Sequence, residues 1–117
     1  QMLLDNGADV NKCLDNGASP LFLACQDNFF YIEKMLCENL ADINKCTNNE
    51  VSPLFIACQN GSFDIVKILL DNNADINECS VTETSPLLIA CEFNHEDILY
   101  VYLELKTFFK IKLLPIN

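Results

Sequence analysis

Residues 52–77 read SPLFIACQNGSFDIVKILLDNNADIN, and much of the same string stands 33 residues earlier and again, more worn, 33 residues later. Ser19-Pro20-Leu21, Ser52-Pro53-Leu54 and Ser85-Pro86-Leu87 mark one register point, and Ala8-Asp9-Val10-Asn11, Ala41-Asp42-Ile43-Asn44 and Ala74-Asp75-Ile76-Asn77 mark another. The cysteines follow the same step: Cys13, Cys46 and Cys79 form one ladder, Cys25, Cys58 and Cys91 a second, and only Cys37 stands outside both. Laying residues 12–44 over 45–77 gives 19 identities in 33 positions; residues 78–110 keep 11 with the middle copy, all of them by Leu103. A fixed period of this length signals a stacked-repeat architecture, so it takes precedence over local propensity.

Within each copy the residues spell two helices and a loop. Ser19, Ser52 and Ser85 each precede a proline, which is an N-cap hydroxyl followed by a first helical residue with φ already set and no amide to satisfy. Short helices are expected over 20–27, 53–60 and 86–93, with Ala24-Cys25, Ala57-Cys58 and Ala90-Cys91 small enough for close approach of neighbours. Asn28, Gly61 and Asn94 fall where a left-handed residue closes a helix. The second helix has apolar residues at helical spacing, Ile32, Met35 and Leu36, then Ile65, Ile68 and Leu69, then Ile98, Val101 and Tyr102. Val66, Leu70 and Leu99 widen the stripe, as burial between stacked neighbours demands. Asn16-Gly17 is a tight-turn dipeptide in the first loop. The reading is an all-α solenoid of stacked helix-turn-helix units with hairpin-like loops.

The order Ser-Pro-Leu, Leu/Ile-Ala-Cys, Gly or Asn, Asp-Ile-Val-Lys-Ile-Leu-Leu and Ala-Asp-Ile-Asn resembles the ankyrin repeat, from residue 1 to about 105. One domain is expected over 1–117: residues 1–11 as the end of a preceding repeat, 12–44 and 45–77 as whole repeats, 78–106 as an incomplete one, and 107–117 as a degenerate cap or irregular tail. Met2 to Asn11 aligns with Met35 to Asn44, so the chain is expected to begin inside a second helix, as a monomeric module of a larger protein. It departs from the family at three points. Phe22, Phe55 and Leu88 stand where a histidine is usual, so apolar packing replaces that residue's hydrogen bonds. Glu50 and Glu83 stand where the loop favours glycine. Glu104 to Phe109 replaces the usual Ala-Asp-Ile-Asn ending.

The resemblance implies a scaffold that binds a protein through loop tips and the inner faces of first helices. Carried over by position, the contact residues are Asp15, Asn16, Gln26, Asp27, Cys46, Asn48, Asn49, Gln59, Asn60, Val81, Thr82 and Glu92, with Cys13, Ala18, Val51, Cys79, Thr84 and Phe93 on the same surface. That surface is amide-rich and mildly acidic, which weakly favours a partner with basic contacts, mainly through association rate. The alternative is a structural spacer in a longer solenoid, with these residues simply solvated. The family's loop asparagines are also substrates of an asparaginyl hydroxylase. Asn11, Asn44 and Asn77 each have the required leucine eight residues earlier, Leu3, Leu36 and Leu69; the plainer role is a side-chain bond that steadies the turn.

Composition narrows the classes. The 117 residues have 17 acidic against 7 basic side chains and a formal charge of -10, and every basic residue is lysine. That balance lacks both the positive field and the guanidinium forks of nucleic-acid binding. Apolar runs of a few residues fall far short of the roughly 20 that span a bilayer. No cofactor or metal is expected. Cysteines spaced by 33 in a solenoid do not converge on one tetrahedral ion, and Cα atoms roughly 10 Å apart exceed disulfide reach. Cys25, Cys58 and Cys91 read as buried small hydrophobes, and Cys13, Cys46 and Cys79 as exposed thiols suited to a reducing cytoplasm. His95, the one histidine, aligns with a structural turn residue. Carboxylates that recur with the repeat are scaffold rather than an active site, so no enzyme activity is expected.

In the tail, Lys106, Lys110 and Lys112 alternate with Phe108, Phe109, Ile111, Leu113 and Leu114. Three readings are open: a degenerate cap, a docking element, or an irregular end.

Overall fold

The computed structural model describes residues 9–76 and 84–113, with side chains described through Glu104. Six helices are present among them: α1 (Pro20–Gln26), α2 (Phe30–Glu38), α3 (Pro53–Asn60), α4 (Phe63–Asp71), α5 (Pro86–Glu92) and α6 (Glu96–Leu113).

The first helices start as the serines dictate. Ser19, Ser52 and Ser85 are extended at φ -80, -85 and -80, and each hydroxyl accepts from the amide three residues on, those of Phe22, Phe55 and Leu88, at 3.0, 3.0 and 3.1 Å. Each such cap is worth about 1 kcal/mol. Asn28, Gly61 and Asn94 take φ of 60, 73 and 58, the left-handed conformation their positions predict. Amides of Phe29, Ser62 and His95 then bond back to the carbonyls of Ala24, Ala57 and Ala90 at 2.8, 3.0 and 3.0 Å. This closes one helix and launches the next.

Packing follows the repeat. Each first helix lies on its own second helix, and α1, α3 and α5 form one layer while α2, α4 and α6 form the other. Ala24, Ala57 and Ala90 are buried where the first helices meet, and Leu21, Leu54, Ile65, Leu69 and Ile98 have almost no exposure. Burying each of these larger side chains contributes roughly 1.5–3 kcal/mol. The core is a strip running along the stack, as in a solenoid in which each unit contacts its neighbours.

The ends of the strip depart from the repeat pattern. Ile32 is exposed, whereas its counterparts Ile65 and Ile98 are fully buried, each beside the described second helix of the preceding copy. The expectation that Cys91 is buried like Cys25 and Cys58 is corrected: Cys91 is exposed. Cys58 lies against Tyr102 of the next copy's second helix, with Sγ and Oη 3.9 Å apart, and no described helix occupies the equivalent place beside Cys91. A residue repeated in all three copies does not reveal this; burial of that thiol comes from the following unit. Helix α6 runs 18 residues where α2 and α4 run nine, so residues 105–113 prolong it.

Candidate functional site

The two described loops that join the copies are hairpin-like without forming strands. In the first, the Leu14 amide donates to the Ala18 carbonyl and the Gly17 amide to the Leu14 carbonyl, both at 2.9 Å; in the second, Thr47 donates to Val51 at 3.0 Å and Glu50 to Thr47 at 2.8 Å. Gly17 and Glu50 both turn left-handed, at φ 84 and 63. Glycine does this freely, whereas the Cβ of Glu50 meets the following carbonyl. Glu83, with Asn77, Cys79, Val81 and Thr82, lies outside the described residues.

Neighbouring loops are bonded to each other. The Asn48 amide donates to the Asn16 carbonyl and its side-chain Nδ2 to the Asp15 carbonyl, each at 2.9 Å. Asn60 Nδ2 donates to the Gln26 carbonyl at 3.0 Å, and His95 Nε2 to the Gln59 carbonyl at 3.0 Å, which places the imidazole proton on Nε2. On the opposite side of each loop, Asn11 Oδ1 accepts from the Asp42 amide at 2.7 Å and Asn44 Oδ1 from the Asp75 amide at 2.8 Å. The loop asparagines therefore join successive copies, a longer reach than the local turn contact expected of them.

These bonds divide the amide-rich surface in two. Asn48 and Asn60 have their side chains committed to the preceding copy, and Asn16 Oδ1 accepts from the Ala18 amide at 2.9 Å. Among the described residues, the side chains of Gln26, Asn49 and Gln59 hold no hydrogen bond. With Asn16, Thr47 and Val51 these three line a groove of about 380 Å³ between the first two copies, and Phe22, Phe55 and Ile56 line its apolar part. The phenylalanines that replace the usual histidine thus become part of a groove wall. Asp15, Asp27, Glu50 and Glu92 are exposed, which gives the surface its acidic character. Cys13 and Cys46 are half-buried rather than fully exposed, with their thiols donating to the Asn11 and Asn44 carbonyls at 3.4 and 3.5 Å.

Burial pushes the thiol of Cys58 up to about 12, and burial with the neighbouring Glu33 carboxylate does the same to Cys37 and raises Cys25 further. A thiol so protonated at neutral pH is a poor nucleophile. His95 is held at the Gln59 carbonyl, its ring edge-on to Phe93 with centroids 6.2 Å apart. Among the described residues no group of three His, Cys, Asp or Glu side chains is placed to hold a metal ion. No described helix is long and apolar enough to cross a membrane.

One buried group escaped the sequence reading. Glu33 on α2 is completely inaccessible, with Oε2 accepting from the Cys37 thiol at 3.7 Å and Oε1 without a partner. The available signal was its register: the same position holds Val66 and Leu99 in the other copies.

No curated protein matches the sequence. A family model described as ankyrin repeats, in three copies, matches residues 1–79 and 36–111, nearly the whole chain. With capped helix pairs stacked in two layers and bonded loop to loop, the chain belongs to the ankyrin-repeat family.

Proposed function

We propose that this chain is a protein-protein interaction module that holds a segment of a partner protein in the groove between its first two copies. The observation that carries the reading is the set of uncommitted amides, Gln26, Asn49 and Gln59, around the apolar wall of Phe22, Phe55 and Ile56. A carboxamide both donates and accepts, so it matches a peptide group in either direction. The aromatic wall supplies the desolvated contact from which most binding energy comes. Exposed Asp15, Asp27 and Glu50 around the groove favour a segment flanked by lysine or arginine, chiefly by accelerating encounter.

Ankyrin repeats as a family serve as binding modules rather than catalysts, and the raised thiols and the occupied His95 agree with that role. An intracellular setting is part of the proposal, because the six described cysteines are all free thiols. Asn11 and Asn44 are assigned to joining the copies and are left out of the contact set.

The test is recovery of partners by the intact protein compared with a Gln26→Ala, Asn49→Ala, Gln59→Ala variant. These side chains hold no part of the fold, so the variant should keep its melting temperature and lose a specific subset of partners. Equal recovery of every partner would favour the spacer reading. Substituting Asn48 or Asn60 would confound the comparison, since both brace neighbouring copies.

A further inference from the structure

Helix α2 differs from α4 and α6 at two positions one turn apart. Glu33 and Cys37 stand where α4 has Val66 and Leu70 and α6 has Leu99 and Leu103. Val66 is buried and Leu70 half-buried in the middle copy, whereas Leu99 is half-buried and Leu103 is 59% exposed in the last. The middle copy's second helix has a following second helix, α6, packed against it, and among the described residues the last has none, so this edge of each second helix faces the next copy. Glu33 and Cys37 therefore place a carboxyl and a thiol in the joint between α2 and α4.

Among the described residues the carboxylate has no counter-ion. From α1 the facing titratable group is the buried Cys25 thiol, and from α2 itself it is Cys37. On α4, Asp64, Lys67 and Asp71 are all exposed, and on α2, Lys34 and Glu38 are exposed as well. The joint is filled by Leu36, Ile65 and Leu69, which are buried. An ionised Glu33 would be a buried charge held by one weak thiol donor, a costly state.

We propose that Glu33 makes the joint between the first two copies proton-sensitive: as the neutral acid it lets α2 seat on α4, and its ionisation loosens that seat. Burial pushes its carboxyl from the ordinary 4.5 to about 7, with the Cys37 hydrogen bond opposing in part. The closed joint thus binds a proton that the opened chain releases. The added stability is complete below pH 4.5, declines as pH rises toward about 7, and is lost above it. Across that window the ratio of closed to open joint falls by more than about tenfold, in line with the tenfold-per-pH-unit linkage. Gln26 and Gln59 lie on opposite sides of this joint, so the same proton would alter the proposed groove; that consequence rests on the binding reading, whereas the joint itself does not.

The experiment is amide hydrogen exchange, corrected for intrinsic rates, on the intact chain from pH 5 to 8. It is run on the native protein, on Glu33→Gln and on Glu33→Val, the last restoring the residue of the middle copy. A loss of protection of more than tenfold in α2 of the native protein, absent from both variants, is expected. Amides of α5, beside His95, report any histidine titration separately. No loss in the native protein, or the same loss in Glu33→Val, would overturn the proposal. Should Glu33→Val fail to fold, the carbon-13 shift of the Glu33 carboxyl decides: titration near 7 supports the joint, and titration near 4.5 refutes it.

Discussion

Replacing Gly17 by alanine probes how far the loops hold the stack together. Gly17 sits at φ 84, and a Cβ there would lie 2.5 Å from Asn48 Oδ1 and 2.7 Å from the Asn48 backbone nitrogen. The left-handed conformation alone costs an alanine about 1–2 kcal/mol. The second contact is with backbone, so rotating a side chain does not relieve it and the loop at residues 47–50 must move away. Moving it breaks the Asn48 bonds to the Asn16 and Asp15 carbonyls, each worth about 0.5–1.5 kcal/mol. The expected total is about 2–5 kcal/mol. Urea denaturation followed by circular dichroism measures it, and Asn48→Ala, which removes only the side-chain bond, should lose about 1 kcal/mol. A loss below about 1 kcal/mol for Gly17→Ala would show that the two loops are independent.

Two further outcomes follow from particular residues. Glu50→Gly should raise stability, by up to about 1 kcal/mol, because the side chain is exposed and the left-handed strain at φ 63 is relieved against the added backbone entropy of glycine; a lower urea midpoint would contradict this. A brief pulse of maleimide at neutral pH, mapped by mass spectrometry, should label exposed Cys91 well before buried Cys25 and Cys58; equal rates would mean that the stack does not protect the cysteine ladder.

The elements that depend on nearest neighbours in sequence were legible without coordinates. Ser-Pro starts, the left-handed Asn28, Gly61 and Asn94, and the apolar stripe of α4 are local chemistry written three times. What the sequence concealed depends on residues about 30 apart or on the end of the stack. Asn48 and Asn49 look interchangeable in sequence, yet one reaches the Asp15 carbonyl and the other faces the groove. Position 91 carries the same residue as its ladder mates, yet no described helix covers it. Glu33 looks like an ordinary helical surface charge, and only its register with Val66 and Leu99 hints that the position faces inward. The candidate surface could therefore be outlined from the sequence, while which of its side chains brace neighbouring copies could not.

Photo-crosslinking addresses the groove most directly. Benzoylphenylalanine placed at Gln26 or Asn49, both exposed at the groove, is compared in cells with the same residue at Lys67, exposed on the second-helix layer. A protein adduct that forms from positions 26 and 49 and not from 67 is expected of a groove-held partner. Adducts of equal yield from all three positions, or from 67 alone, would contradict it.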